Sequence, residues 1–323
     1  MTKLVIQIPC YNEEETLPVA LAALPRTLAG VDAIEWLVID DGSTDRTAEV
    51  ARAHGVDHIV RLPRHQGLAT AFMAGLEGCL QAGADIIVNT DADNQYSAGD
   101  IPRLLAPILE GRAEMVIGAR AIGEIQHFSP FKKLFQRLGS WMTRVVSSTD
   151  VLDAPSGFRA ISRGAAMRLH VFSGFTYTIE TIIQAGQKGM SVTSVPITTN
   201  RELRPSRLIK GVSGYMGRQV LTMVRVFATY KPFRFFAVPG AAAFGIGFLI
   251  GLRFLYYYMT EGGGGHVQSL ILAALLMGAG FFLIVVGILA DLLAVNRTLL
   301  EAVEWRLRKV EERFQSPSDA WKS

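Results

Sequence analysis

Residues 86–95 read Ile86-Ile87-Val88-Asn89-Thr90-Asp91-Ala92-Asp93-Asn94-Gln95. The apolar run predicts a buried strand, and the acidic cluster falls where that strand ends. Carboxylates two residues apart can converge once the chain turns. With the Gln95 carbonyl they make a hard oxygen site suited to Mg2+ or Mn2+. Such a site completes its shell with substrate phosphates, and its metal stabilises charge developing on a leaving diphosphate.

The same alternation extends on both sides. Leu4 to Ile8, Trp36 to Ile39, Ile59-Val60 and Met115 to Ile117 predict further strands. Helices are expected from about Glu14 to Leu28, from a Ser43 or Thr44 cap to His54, and over Leu68–Gln81 and Asp100–Leu109. Strands alternating with helices predict an α/β fold, a mostly parallel, Rossmann-like sheet covered on both faces. Ligands of such sheets bind beyond the carboxyl ends of the strands. The polar clusters fall there: Tyr11-Asn12-Glu13, Asp40-Asp41, Asp91-Ala92-Asp93 and Arg120. No P-loop, no dinucleotide fingerprint and no Cys/His zinc spacing occurs.

The second half of the chain is different in kind. Phe235 to Tyr258 is apolar except for Arg253, and Ser269 to Ala290 has no charge. At about 1.5 Å per residue, 22 helical residues span roughly 33 Å, against a hydrocarbon core of about 30 Å. Two membrane spans, about 235–258 and 268–291, are therefore expected, joined by a Gly-rich turn at Gly262–Gly265. Lys231 and Arg234 precede the first span, Arg297, Arg306, Arg308 and Lys309 follow the second, and the turn has no Lys or Arg. Positive flanks place the catalytic half and both termini in the cytoplasm, making a multi-pass protein of the cytoplasmic membrane. Residues 212–231 predict an interfacial amphipathic helix, and 297–314 a second, cytoplasmic one that is a candidate subunit contact in a homo-oligomer. The expected organisation is 1–210 catalytic, 211–234 interfacial, 235–293 membrane hairpin and 294–323 cytoplasmic tail.

Composition agrees. Half of the 323 residues are hydrophobic, and 19% are charged. A net charge of +3 is too small to argue for nucleic acid. The two cysteines, Cys10 and Cys79, sit in a predicted strand and helix, so no disulfide framework follows. No basic segment followed by an apolar one opens the chain, so no signal peptide is expected. A soluble domain with a metal-type acidic pair, carried on a membrane hairpin, points to an enzyme joining a water-soluble activated group to a lipid.

Five segments in order carry a resemblance: Pro9-Cys10-Tyr11-Asn12-Glu13-Glu14, Asp40-Asp41-Gly42-Ser43-Thr44-Asp45, Gly67-Leu68-Ala69, Asp91-Ala92-Asp93-Asn94-Gln95 and Ser156-Gly157-Phe158-Arg159. They resemble inverting family-two glycosyltransferases of GT-A fold. With the C-terminal hairpin, the chain most resembles the polyprenyl-phosphate glycosyltransferases, the group of dolichyl-phosphate mannose synthase.

The resemblance implies a nucleotide-diphosphate sugar donor of UDP-glucose or GDP-mannose type, a polyprenyl-phosphate acceptor and Mg2+ or Mn2+. Pro9, Tyr11, Asn12, Glu13 and Asp41 would line the nucleotide pocket, assisted by Asp40, an acid that can equally cap a helix. Asp91, Ala92 and Asp93 would meet the donor diphosphate, with Asp91, Asp93 and Gln95 on the metal. Ser206-Arg207 would close over the donor phosphates. Arg204-Pro205 stands where many relatives have Gly-Glu, which stiffens that segment. Asn94-Gln95-Tyr96-Ser97 replaces the usual Leu-Gln-Asp/His-Pro and weakens the analogy for donor choice. Asp93 and Asp153 would lie at the reaction centre. Asp153 is either a catalytic base or an orienting group for Arg159 or the sugar hydroxyls, and Glu180 would bind donor hydroxyls or a basic side chain.

Arg120 would meet the acceptor phosphate. Lys132, Lys133 and Arg137 lie on a predicted helix beside Phe128, Phe131 and Phe135, a basic face for phosphate and an apolar face for membrane lipids. Two alternatives remain. A processive polysaccharide synthase would carry a QxxRW motif, and Gln136-Arg137-Leu138-Gly139-Ser140-Trp141 has the wrong spacing. A non-catalytic scaffold binding nucleotide sugar or lipid would not need Asp91, Asp93 and Arg120.

Overall fold

The computed structural model describes residues 1–120, 149–171, 177–200, 227–261 and 267–315, with a few positions at 143–147 and 224–225. The chain divides into two compact units, Met1–Lys210 and Gly211–Ser323.

The first unit is built on one mixed sheet. Its strands are β1 (Lys3–Cys10), β2 (Ala33–Asp40), β3 (His58–Arg61), β4 (Ile86–Asn89), β5 (Met115–Arg120), β6 (Arg159–Ser162) and β7 (Val192–Ile197), in the order β3-β2-β1-β4-β6-β5-β7. The expected parallel character is present: β1 pairs with β2 and β4, and β2 with β3, all parallel. Leu4, Val5, Ile6, Ile8, Ile87 and Val88 are fully buried. That explains why these strands read as continuous apolar runs rather than alternating ones.

β6 is antiparallel to both neighbours, β4 and β5, and β7 is parallel to β5. The antiparallel strand has a direct consequence for the site. Asn89 pairs with Arg159, and Ile117 pairs with Arg159 on the other side. The start of β6 therefore lies beside the ends of β4 and β5.

The described α-helices of this unit are α1 (Leu17–Ala23), α2 (Thr47–Ala53), α3 (Leu68–Gln81), α4 (Ile101–Leu109), α5 (Arg163–Ala166) and α6 (Thr178–Gln187). α1 is shorter than the expected Glu14–Leu28. Its start waits for the end of the 12–16 loop, whose amides are tied elsewhere, and Pro25 follows its end. Neither Ser43 nor Thr44 caps α2. Asp45 accepts the Thr47 amide at 3.0 Å instead, while the Ser43 and Thr44 amides donate to Asp40 and Asn12.

The second unit contains α7 (Pro232–Glu261) and α8 (Val267–Gln315). Within them Pro232–Thr260 and Val267–Arg297 are long and apolar enough to cross a membrane, with mean hydropathies of 2.0 and 2.7. The two helices meet at glycines. A Cβ on Gly240 would lie 2.8 Å from the Gly280 carbonyl, and one on Gly247 would lie 2.9 Å from the Ala273 carbonyl. Only residues without side chains let the backbones approach this closely. The expected separate helix over 297–314 is instead the continuation of α8, a single helix of 49 residues. No Pro or Gly occurs between Gly287 and Gln315 to stop it.

Candidate active site at the carboxyl ends of the strands

β4 delivers the acidic cluster. The chain turns at Asn94, which takes the left-handed conformation at φ 56°, one Asn tolerates better than most residues. Asp93 Oδ1 accepts the Gln95 amide at 3.0 Å, closing the turn. The Gln95 carbonyl accepts the Asn200 amide at 2.8 Å, and the Asn94 carbonyl accepts Asn200 Nδ2 at 3.0 Å. The loop is thus tied to the segment leaving β7. Ala92 is buried beneath it.

β6 supplies the opposite wall. A Cβ on Gly157 would lie 3.2 Å from both Asp91 carboxylate oxygens. The Gly157 amide donates to Tyr96 Oη at 3.1 Å, and its carbonyl accepts Asn89 Nδ2 at 2.8 Å. Asn89 Nδ2 also reaches the Tyr177 hydroxyl at 3.0 Å, and Asn89 Oδ1 accepts Gln7 Nε2 at 2.8 Å. Tyr177 stacks on Phe72 with ring centroids 3.9 Å apart. Burial, with the nearby Asp91 charge, pushes Tyr96 up to about 12 and raises Tyr177 as well. Both phenols therefore stay protonated in this floor, and their oxygens accept the Gly157 amide and Asn89 Nδ2.

Arg120, at the end of β5, is clamped by Asp153. Its Nε donates to Asp153 Oδ2 at 2.7 Å, its Nη2 to Oδ1 at 3.1 Å, and its own amide to Oδ2 at 3.2 Å. Both side chains are almost wholly buried. Burial lowers the Arg120 pKa, but Tyr96 and Asp153 more than offset it, and the net shift is upward. Arg159, also fully buried, turns its hydrogen bonds elsewhere among the described residues. It donates to the carbonyls of Ser156 and Thr178, and to Thr181 Oγ1 at 2.7 Å. The reading in which Asp153 orients Arg159 is corrected: the arginine it holds is Arg120.

Burial pushes Asp91 up to about 7, and Asp93 adds to the rise against the charges of Arg120 and Arg159. Two carboxylates held together at such a cost form an arrangement that a divalent cation relieves. Among the described residues no group of three His, Cys, Asp or Glu side chains gathers for a metal. Asp91 and Asp93 can hold a hard cation only with further oxygen donors, as a substrate diphosphate provides.

The loops after β1 and β2 form one stitched unit. The Asn12 amide donates to Ser43 Oγ at 3.0 Å, the Glu13 amide to Thr47 Oγ1 at 2.8 Å, and the Glu14 amide to Asp45 at 3.1 Å. Asn12 is left-handed at φ 54°. Pro9 lies in β1 beyond the stretch paired with β4, where its missing N–H breaks no bond to that strand. Asp41 accepts the amides of Gln66 and Gly67 at 2.8 and 2.9 Å and pairs with His65 at 2.8 Å. His65 stacks on the half-exposed Tyr11, ring centroids 3.8 Å apart. Asp40 Oδ1 accepts the Ser43 amide at 2.8 Å, and Oδ2 faces Arg61 at 3.3 Å. Burial raises the Cys10 thiol well above its usual range, with Glu13, Asp40, Asp45 and Asp91 adding to it. These acids therefore surround one strand end.

Glu180 is buried in the first turn of α6. Lys132, Lys133, Arg137, Ser206 and Arg207 lie outside the described residues. His65, Tyr96, Tyr177 and Asn89 were not singled out in the sequence. His65 and Tyr177 are brought to the site from distant segments, whereas Asn89 and Tyr96 flank the acidic cluster in sequence.

Residues 5–169, about half of the chain, match Glycosyl transferase family 2. The chain belongs to that family. Among curated proteins, this glycosyltransferase is 28% identical over 218 residues to an undecaprenyl-phosphate mannosyltransferase of Micrococcus luteus, covering 64% of this chain and 88% of the relative. It is 28% identical over 213 residues to a polyprenol monophosphomannose synthase of Mycolicibacterium smegmatis, covering 62% and 79%. Among solved structures it is similar to glucosyl-3-phosphoglycerate synthase of Mycobacterium tuberculosis. One such structure, in complex with Mn2+, uridine diphosphate and glucosyl-3-phosphoglycerate, has a TM-score of 0.54 and 21% identity, covering 71% of this chain and 80% of that one. At that identity the likeness shows the fold: the glycosyltransferase has the α/β, mostly parallel GT-A architecture, followed by two apolar helices able to span a membrane.

Proposed function

We propose that the chain is a membrane-anchored glycosyltransferase that moves a hexose from a nucleotide-diphosphate sugar to a polyprenyl phosphate, inverting the anomeric carbon. The observation that carries this reading is a family 2 domain joined on one chain to two helices, of 29 and 31 residues, able to cross a bilayer. Both relatives named above are mannose transferases with a polyprenyl acceptor in their names. Mannose is accordingly the first donor sugar to test.

In this reading residues 1–210 are the catalytic domain, 211–234 an interfacial segment, 235–293 the hairpin and 294–323 a cytoplasmic tail. The loops bearing Tyr11, Glu13 and Asp41 hold the nucleotide. Asp91 and Asp93 hold Mg2+ or Mn2+, which when bound neutralises charge on the leaving diphosphate. The Mn2+ and uridine diphosphate in the fold neighbour support that assignment. An acceptor phosphate oxygen forms the new bond to the anomeric carbon from the face opposite the nucleotide. The old bond breaks, and its electron pair leaves with the nucleoside diphosphate.

Arg120 faces the acceptor phosphate, and Asp153 fixes it by taking three of its N–H donors. No strong base is needed, because a phosphate monoester has its second pKa at about 6. Asp153 is thus a positioning residue. The test is incubation of purified protein with undecaprenyl phosphate and a panel of nucleotide sugars, scoring nucleotide release. Release that needs the lipid phosphate supports the proposal. Equal release with water-soluble acceptors overturns it.

A further inference from the structure

We propose that the C-terminal part of α8 is one strand of a parallel coiled coil formed with further copies of this chain. α8 runs unbroken past Arg297 to Gln315, about 27 Å beyond its apolar stretch at about 1.5 Å per residue. From the last turn of the apolar stretch through that extension the sequence keeps a strict heptad. Leu293, Leu300, Leu307 and Phe314 recur every seven residues, and between them Asn296, Val303 and Val310 do the same. The first set occupies the a positions and the second the d positions.

The described members of this seam have no cover within the chain. Leu293 is 69% exposed, Leu300 70%, Val303 54% and Leu307 58%. By register Arg306 falls at g and Glu311 at the following e, the pair that attracts across two parallel strands. Asn296 places one polar residue in the seam, at d, where copies in register bring like amides together. These three features fit another copy of the same helix, aligned in register. An apolar stripe for lipid needs neither the Asn nor the alternating charges.

Parallel orientation rests on the membrane-anchored reading, since copies inserted the same way leave the bilayer side by side.

Cross-linking in the full-length protein tests this. Cys10 and Cys79, both buried, are replaced by Ala, and single cysteines are introduced as Leu293→Cys, Leu307→Cys or Val295→Cys, the last at a c position outside the seam. Mild oxidation in membranes is expected to join like cysteines at 293 and at 307 at least about tenfold faster than at 295. An antiparallel pair would join 293 to 307 and neither to itself. Absence of self-linking at 293 and 307, or equal linking at 295, overturns the proposal. Leu300→Asp with Leu307→Asp, on an exposed face, is expected to reduce the mass in detergent to one chain. An unchanged mass overturns it. Extraction by alkaline carbonate reports separately on the anchor: release there refutes the membrane reading, whatever the cross-links show.

Discussion

Gly157 and Asp91 lie so close that even a methyl group on Gly157 must push the Asp91 carboxylate aside. A Cβ on Gly157 would meet both Asp91 oxygens at 3.2 Å and the Tyr177 hydroxyl at 3.0 Å. Gly157→Ala is expected to displace the carboxylate by a few tenths of an ångström and to lower the transfer rate about tenfold, or about 1.4 kcal/mol. The melting temperature should fall little. A wild-type rate in steady-state assays would show that this contact does not position Asp91.

Metal dependence follows from the acidic turn. Asp91→Ala or Asp93→Ala should reduce transfer to background with the protein still folded in detergent. EDTA should do the same, reversibly on addition of Mg2+ or Mn2+. Full turnover in EDTA would remove the metal from the mechanism.

The clamp between Arg120 and Asp153 separates stability from function. Asp153→Ala leaves a buried guanidinium unpaired and should destabilise the domain by about 3–5 kcal/mol. The double variant Arg120→Met with Asp153→Leu should recover most of that stability and none of the transfer. Recovery of transfer in the double variant would make the pair purely structural.

Acid stability is set partly at Asp57. Burial raises its pKa, but the Trp36 amide and Arg26 outweigh this, and the carboxyl is held below its ordinary value. A depressed folded pKa stabilises the protein above the unfolded value, about 3.9, and that gain is lost as pH falls through the folded value. Asp57→Asn should lower the melting temperature at pH 7 and flatten its decline below about pH 4. The pair is about a third exposed, so the effect is small. Parallel melting curves for both proteins down to pH 2.5 or so would exclude this role.

Orientation can be read with thiol reagents. With Cys10 and Cys79 removed, Gly264→Cys should react with an impermeant reagent in intact cells, and Ser318→Cys only after lysis. The reverse pattern would put the catalytic domain on the side away from its donor.

Much of the sheet was legible because β1, β2, β4 and β5 are buried and read as apolar runs. β6 and β7 were not. β6 has four residues and begins with Arg159, whose burial depends on acceptors at Ser156, Thr178 and Thr181. β7 is a half-buried edge strand containing Pro196. The site showed the same division. Asp91, Asp93 and Arg120 stand at strand ends and could be read locally. The partner of Asp153, 33 residues away in sequence, could not, nor could the stacking of His65 on Tyr11.

β6 is also a matter of timing. Among the described strands it alone connects β3-β2-β1-β4 to β5-β7. A ribosome that has delivered the chain through Arg120 has made every residue of β5 but neither of its neighbours. The loops after β1 and β2 can assemble from the first hundred residues, whereas Arg120 and Asp91 are brought together only once Gly157 to Ser162 have emerged and paired. The complete cluster is therefore a late event in synthesis, and a nascent chain halted before β6 holds the loops after β1 and β2 with no opposite wall.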